Sequence, residues 1–147
     1  MDKLDIVTDE SGNKVVLLPE IIFSNKQNIN WDDVEDYLGK YVGELIEIAE
    51  TRDIIYIGNK FPDEYGGSSY TRKTKGARAK AKANAAQGIR EMVEIATDKV
   101  YRENHKEKHS EDAHNGWFYY VTRFAIPLYD NEKKTGEYNV YSACLVV

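Results

Sequence analysis

The chain has one cysteine, Cys144, in 147 residues. No disulfide can close within it, and a reducing compartment suits it. Cys144 lies in the apolar run Ala143-Cys144-Leu145, which reads as a buried core thiol rather than a nucleophile. No apolar stretch approaches the roughly twenty residues of a membrane span. The start, Met1-Asp2-Lys3-Leu4-Asp5, is acidic and lacks the apolar segment of a signal peptide. The expectation is a cytoplasmic chain with no membrane partner. Also missing are a Walker loop, a Gly-x-Gly-x-x-Gly turn, Cys/His zinc spacing and a nucleophile elbow. Nucleotide hydrolysis, dinucleotide redox chemistry and serine hydrolysis are therefore disfavoured, and neither a cofactor nor a metal is expected.

The most telling absence is local. Between Tyr65 and Arg90 there is no Asp or Glu, yet the stretch carries Arg72, Lys73, Lys75, Arg78, Lys80, Lys82 and Arg90. The 64 residues before it hold 15 acids against 6 bases, and the chain as a whole is at −5. A positive segment in an acidic chain points to an anionic partner, with phosphate the first candidate. Read as a helix from Thr71 to Ala86 ending at Gly88, it places Lys75, Arg78 and Lys82 in one row, with Lys73 and Lys80 roughly opposite. Gly76, Ala79, Ala83 and Ala86 form a small-residue face. Such a row suits a phosphate backbone, RNA more than DNA. The bland counterpart is a solvated Lys/Ala helix, or one paired with the acidic segments of its own chain.

What is present elsewhere predicts an α+β fold: N-terminal helices packed on an antiparallel sheet with a long C-terminal hairpin. The chain reads as a single domain over 1–147, with residues 1–14 a loose lead-in. Val15 to Leu18 reads as a short strand stopped by Pro19. Asn30 is a good helix cap, and Trp31, Val34, Leu38 and Tyr41 make one apolar stripe behind it. Leu45–Ala49 and Ile54–Ile57 read as a hairpin or a bent strand, and 58–69 as a loop carrying Pro62. The string Glu44-Leu45-Ile46-Glu47-Ile48-Ala49 is echoed by Glu91-Met92-Val93-Glu94-Ile95-Ala96. That echo favours an extended conformation for 91–102, with a continued helix over Glu91–Ala96 as the alternative.

Two further clusters carry candidate chemistry. His105, His109 and His114 fall close together, with the first two at i, i+4. Lys106 stands where a zincin would have Glu, so general acid/base work fits better than a metal site. Trp117–Phe124 alternates, placing Arg123 with Trp117, Tyr119 and Val121 on one face. Arg123 can clamp a phosphate or pair with Glu94. On the other arm Tyr138, Val140 and Ser142 share one face, and Asn139, Tyr141 and Ala143 the other. Arginine, tyrosine and a hydroxyl beside histidine are the ingredients of metal-free phosphodiester cleavage.

The order of elements resembles the barnase–EndoU–colicin–RelE-like nuclease fold. Tyr70-Thr71-Arg72-Lys73, Gly76–Gly88 and Thr122-Arg123-Phe124-Ala125-Ile126-Pro127 resemble segments of nuclease-like domains in phage and mobile-element polyvalent proteins of gut Firmicutes, over roughly residues 20–147. The resemblance implies His105 or His109 as base or acid, Arg123 as phosphate clamp, and Tyr141 or Ser142 as support. It also implies a further turn and strand beyond Val147. The competing expectation is a non-catalytic module that grips nucleic acid or an acidic protein surface through the basic helix 71–86, with a homo-oligomer formed through the C-terminal strand.

Overall fold

Asn30 opens the first helix, its side-chain oxygen accepting the backbone N–H groups of Asp32 and Asp33. Helix α1 (Trp31–Leu38) carries Asp32 and Asp33 in its first turn, where the helix dipole favours them. Its stripe of Trp31, Val34 and Leu38, continued by Tyr41 in a following 3-10 turn, is buried. The computed structural model of the chain describes residues 3–24, 29–67, 71, 75–103 and 116–147. The fold is α+β.

Strands β1 (Ile6–Thr8) and β2 (Lys14–Leu17) form an antiparallel hairpin. The expected lead-in is therefore part of the sheet, because Leu4 and Ile6 pack against the core and Leu17 N–H donates to the Asp5 carbonyl. After α1, β3 (Leu45–Glu47) and β4 (Ile54–Tyr56) make a separate two-stranded sheet. The expected loop at 58–69 contains helix α2 (Phe61–Gly66), in which Pro62 sits in the first turn, where its missing N–H costs nothing.

The basic segment folds as α3 (Ala77–Asn84), continued by a 3-10 turn (Ala85–Gly88) and then by α4 (Ile89–Glu94). Residues 91–94 are thus helical, not extended. The echoed strings diverge because Gly43, at φ +92, breaks the chain before the first copy. Gly88 instead leads directly into helix, and Ile89, Met92 and Val93 bury an i, i+3, i+4 face. Helix α3 lies between two apolar clusters. Ala79, Ala83 and Ala86 touch one, with Val34, Leu38 and Ile46, while Ala81 and Ala85 touch the other, with Val16, Leu18 and Phe124. Side chains as small as alanine let the helix approach neighbours on both sides this closely.

The main sheet is built on β6 (Trp117–Asp130) and β7 (Lys133–Val146), the long hairpin read from the sequence. β7 flanks one edge of β6. The other edge is shared by β5 (Thr97–Arg102), antiparallel beside residues 117–121, and β2, parallel beside Phe124 and Ala125. The sheet is therefore mixed rather than wholly antiparallel. Phe118 and Val147 exchange both backbone hydrogen bonds, which sets the phase of the β6–β7 ladder. In that phase Ala125 and Pro127 point their backbone toward the β2 edge. Ala125 accepts from Leu18 N–H there, while Pro127 lies beyond the point where Pro19 ends β2. A residue with no N–H fits that place.

Candidate nucleic-acid interface

Alternation along β6 divides the hairpin into two faces, as read. Tyr120, Thr122 and Phe124 point inward and are buried, against the helices and their clusters. Trp117, Tyr119, Val121 and Arg123 point outward. Cross-strand partners share a face, so Val146, Cys144 and Ser142 stand beside Tyr119, Val121 and Arg123. On the other flank Val100 lies beside Tyr119, and Arg102 beside Trp117.

This outer face is open over its β5–β6–β7 part. Val100 is 48% exposed and Val140 59%. A shallow hollow of about 340 Å³ lies here, lined by Asp98, Val100, Arg102, Tyr119, Val121 and Cys144. The Arg102 guanidinium sits 5.5 Å from the centroid of the Tyr119 ring, a cation–π arrangement. Neither Arg102 nor Arg123 is held by a carboxylate among the described residues. Glu94 is salt-bridged to Lys3 instead, so the expected Glu94–Arg123 pair is not formed. Cys144 is exposed in the hollow, contrary to the expectation of a buried thiol. Its neighbours in sequence are apolar, but alternation turns it outward.

The structure separates several of the sequence candidates. Arg123 and Ser142 are direct cross-strand partners on the open face. Tyr141 is on the inner face, stacked on Phe124 with ring centroids 5.5 Å apart. His105 and His109 lie outside the described residues, as do His114, Arg72 and Lys73. In the basic helix, Lys75, Arg78 and Lys80 are exposed. Lys82 leaves the row that the helical wheel assigned it. Its Nζ donates to Thr71 Oγ1 at 2.8 Å and lies 5.1 Å from the Tyr65 ring centroid. Burial pushes its pKa down. The exposed cations of α3 stand away from the open face, because α3 packs beneath the inner one.

Tyr119 was read from the sequence as sharing a face with Arg123, but Arg102 was not singled out, nor was its place over Tyr119. Their meeting depends on a register shift in β5 between Thr97 and Val100, and a bulge of that kind is set by tertiary pairing rather than by local residue type. A second cluster also went unread. Asp53, in the β3–β4 turn, accepts hydrogen bonds from Lys99 at 2.8 Å, Tyr120 at 2.6 Å and Thr51 at 2.8 Å. These donors hold its carboxyl near 2, below its usual 3.8. A carboxylate so saturated is a poor base and a good clamp. It ties the small hairpin to the main sheet.

Among the described residues no group of three His, Cys, Asp or Glu side chains is placed to hold a metal ion. Nor is any helix among them long and apolar enough to cross a membrane. No family model, curated protein or solved structure matches the chain.

Proposed function

We propose that the chain is a nucleic-acid-binding module of a phage or mobile-element protein, holding a single strand of RNA on the open face of its sheet. The observation that carries this is the pairing of a half-buried aromatic on the open face with guanidinium groups that no carboxylate holds: Tyr119 beneath the exposed Arg102, and Arg123 on the same strand. Aromatic faces stack bases, and guanidinium groups bind the phosphates between them. The shallow hollow suits a splayed base better than a rigid duplex. In this reading the basic helix contributes a general positive field rather than the contact surface. That departs from a module gripping through residues 71–86.

A toxin-type, metal-independent ribonuclease is the second reading. It is favoured by the juxtaposition of Arg123 and Ser142 on the open face. It would draw its acid and base from His105 and His109, with Tyr141 supporting only from behind the sheet.

One experiment separates them. Labelled RNA is incubated with the protein across a salt series, with and without EDTA, beside Arg102→Ala, Arg123→Ala, His105→Ala and Lys75→Ala/Lys80→Ala. The expected result is salt-sensitive retention of intact RNA. Each arginine variant should lower the salt slope by about one, with the lysine pair changing it less. EDTA-resistant cleavage lost in Arg123→Ala and His105→Ala would establish the nuclease. Absence of both retention and cleavage would end both readings.

A further inference from the structure

The ladder phase that places Pro127 also defines the free edge of β7. Residues that exchange hydrogen bonds with β6 alternate with residues whose N–H and C=O point the other way. Counting from the Phe118–Val147 pair, the second set is Val146, Cys144, Ser142, Val140 and Tyr138. No backbone hydrogen bond among the described residues meets these groups. The edge is also unguarded. Lys133, Lys134 and Glu137 lie at the turn end, with Gly136 at φ +88 among them, but Tyr138 to Val147 contains no charge. Edge strands normally carry lysine, proline or a bulge in such a stretch to prevent pairing.

We infer that β7 pairs antiparallel with β7 of a second copy of this chain, about a two-fold axis at Ser142. This register alone pairs all five outward-facing residues with one another. Tyr138 meets Val146, Val140 meets Cys144, and Ser142 meets its own counterpart. Roughly ten backbone hydrogen bonds result, two for each of the five pairs. Charge selects the occupant. A charged peptide finds no counter-charge from Tyr138 to Val146, whereas β7 brings no charge of its own to the five pairs. Lys133 and Lys134 fall beyond the overlap, and Glu137 meets Val147. An aromatic then faces a β-branched residue at each end, and the smallest side chain sits at the axis. The two sheets become one, and their open faces lie on the same side.

The register gives a covalent test. Cys144 and its counterpart stand four positions apart, about 14 Å along the strands, too far for a disulfide. Val140→Cys places a thiol directly opposite Cys144 of the second copy, at about 5.5 Å between Cα atoms. Sedimentation should show a dimer for the parent chain. Mild oxidation should link Val140→Cys into a covalent dimer on a non-reducing gel and leave the parent unlinked. Val140 is solvent-exposed in the single chain, so Val140→Lys should keep the parent's circular dichroism yet sediment as a monomer. A monomeric parent at high concentration overturns the inference. So does a dimer that Val140→Lys leaves intact, or one in which Val140→Cys fails to link. None of these results depends on RNA.

Discussion

Asp53 shows how a single side chain can join two sheets. Its carboxylate takes donors from the β3–β4 turn, from β5 and from β6, and Lys99 and Asp53 are each about one-third exposed. The interaction lowers the Asp53 pKa to about 2 and raises that of Lys99, chiefly through their shared hydrogen bond. The signs follow from linkage. A depressed carboxyl contributes stability that is fully present above its unfolded value near 3.8 and is lost as pH falls toward 2. The raised Lys99 contributes stability present below its ordinary 10.5 and lost as pH rises through the higher folded value. Asp53→Asn should therefore unfold more readily than the parent at pH 7. Urea denaturation at several pH values should show that difference shrinking below pH 4 and vanishing near 2. A pH-independent difference would mean that Asp53 acts through shape rather than charge.

At the scale of an element, α3 is held by a polar anchor inside an alanine helix. Asn84 is fully buried. Its oxygen accepts from Ile22 and Phe23 N–H, and its amide donates to the Phe23 and Lys80 carbonyls. Gln87 adds a bond to the Glu20 carbonyl. Together they fasten the otherwise irregular segment 20–23 to the helix. Asn84→Ala leaves two part-buried backbone donors without their acceptor and a void at a fully buried position, and should cost about 2–4 kcal/mol in chemical denaturation. Asn84→Asp should cost more, because a carboxylate would face the two carbonyls that the amide now serves. A loss under about 0.5 kcal/mol, typical of a surface position, would contradict this account.

Elements with a local signature were legible in the sequence. Asn30 and the Trp31–Tyr41 stripe announce α1, and the aromatic alternation of Trp117–Phe124 announces the hairpin and both of its faces. Elements decided by distant contacts were not. Pro62 looked like a loop signal, although the first turn of a helix accepts it. Glu91–Glu94 matched a strand elsewhere yet became helix, because α4 has an apolar face to bury. Lys82 was counted with the exposed cations, since no periodicity reveals that Thr71 and Tyr65 await it. The site was legible only in part for the same reason. Arg123 was visible on its strand, but Arg102 over Tyr119 required the register of a neighbour.

The whole molecule is closed by its first residues, and this makes their removal informative. β2 runs parallel to β6 through Val16 beside Phe124, so the ends of the chain meet in mid-sheet. β1 covers the far edge of β2. Leu4 N–H donates to the Glu91 carboxylate, Lys3 pairs with Glu94, and Leu17 is bonded to Asp5. Val15 and Val16 are essentially inaccessible in this arrangement, and Leu4 and Ile6 cover the cluster that contains Val16 and Leu18. A chain beginning at Asp9 would expose part of that cluster and leave the β2 edge unpaired. At about 25 cal/mol per Å² of apolar surface, two partly buried aliphatic side chains and the surface beneath them amount to about 2–4 kcal/mol. The midpoint of thermal unfolding should fall accordingly, with β2 protected less from hydrogen exchange than β6. A loose lead-in would predict no change in either measurement. The two outcomes differ because β2 has strand partners on both sides, and only one of them, β6, survives the truncation.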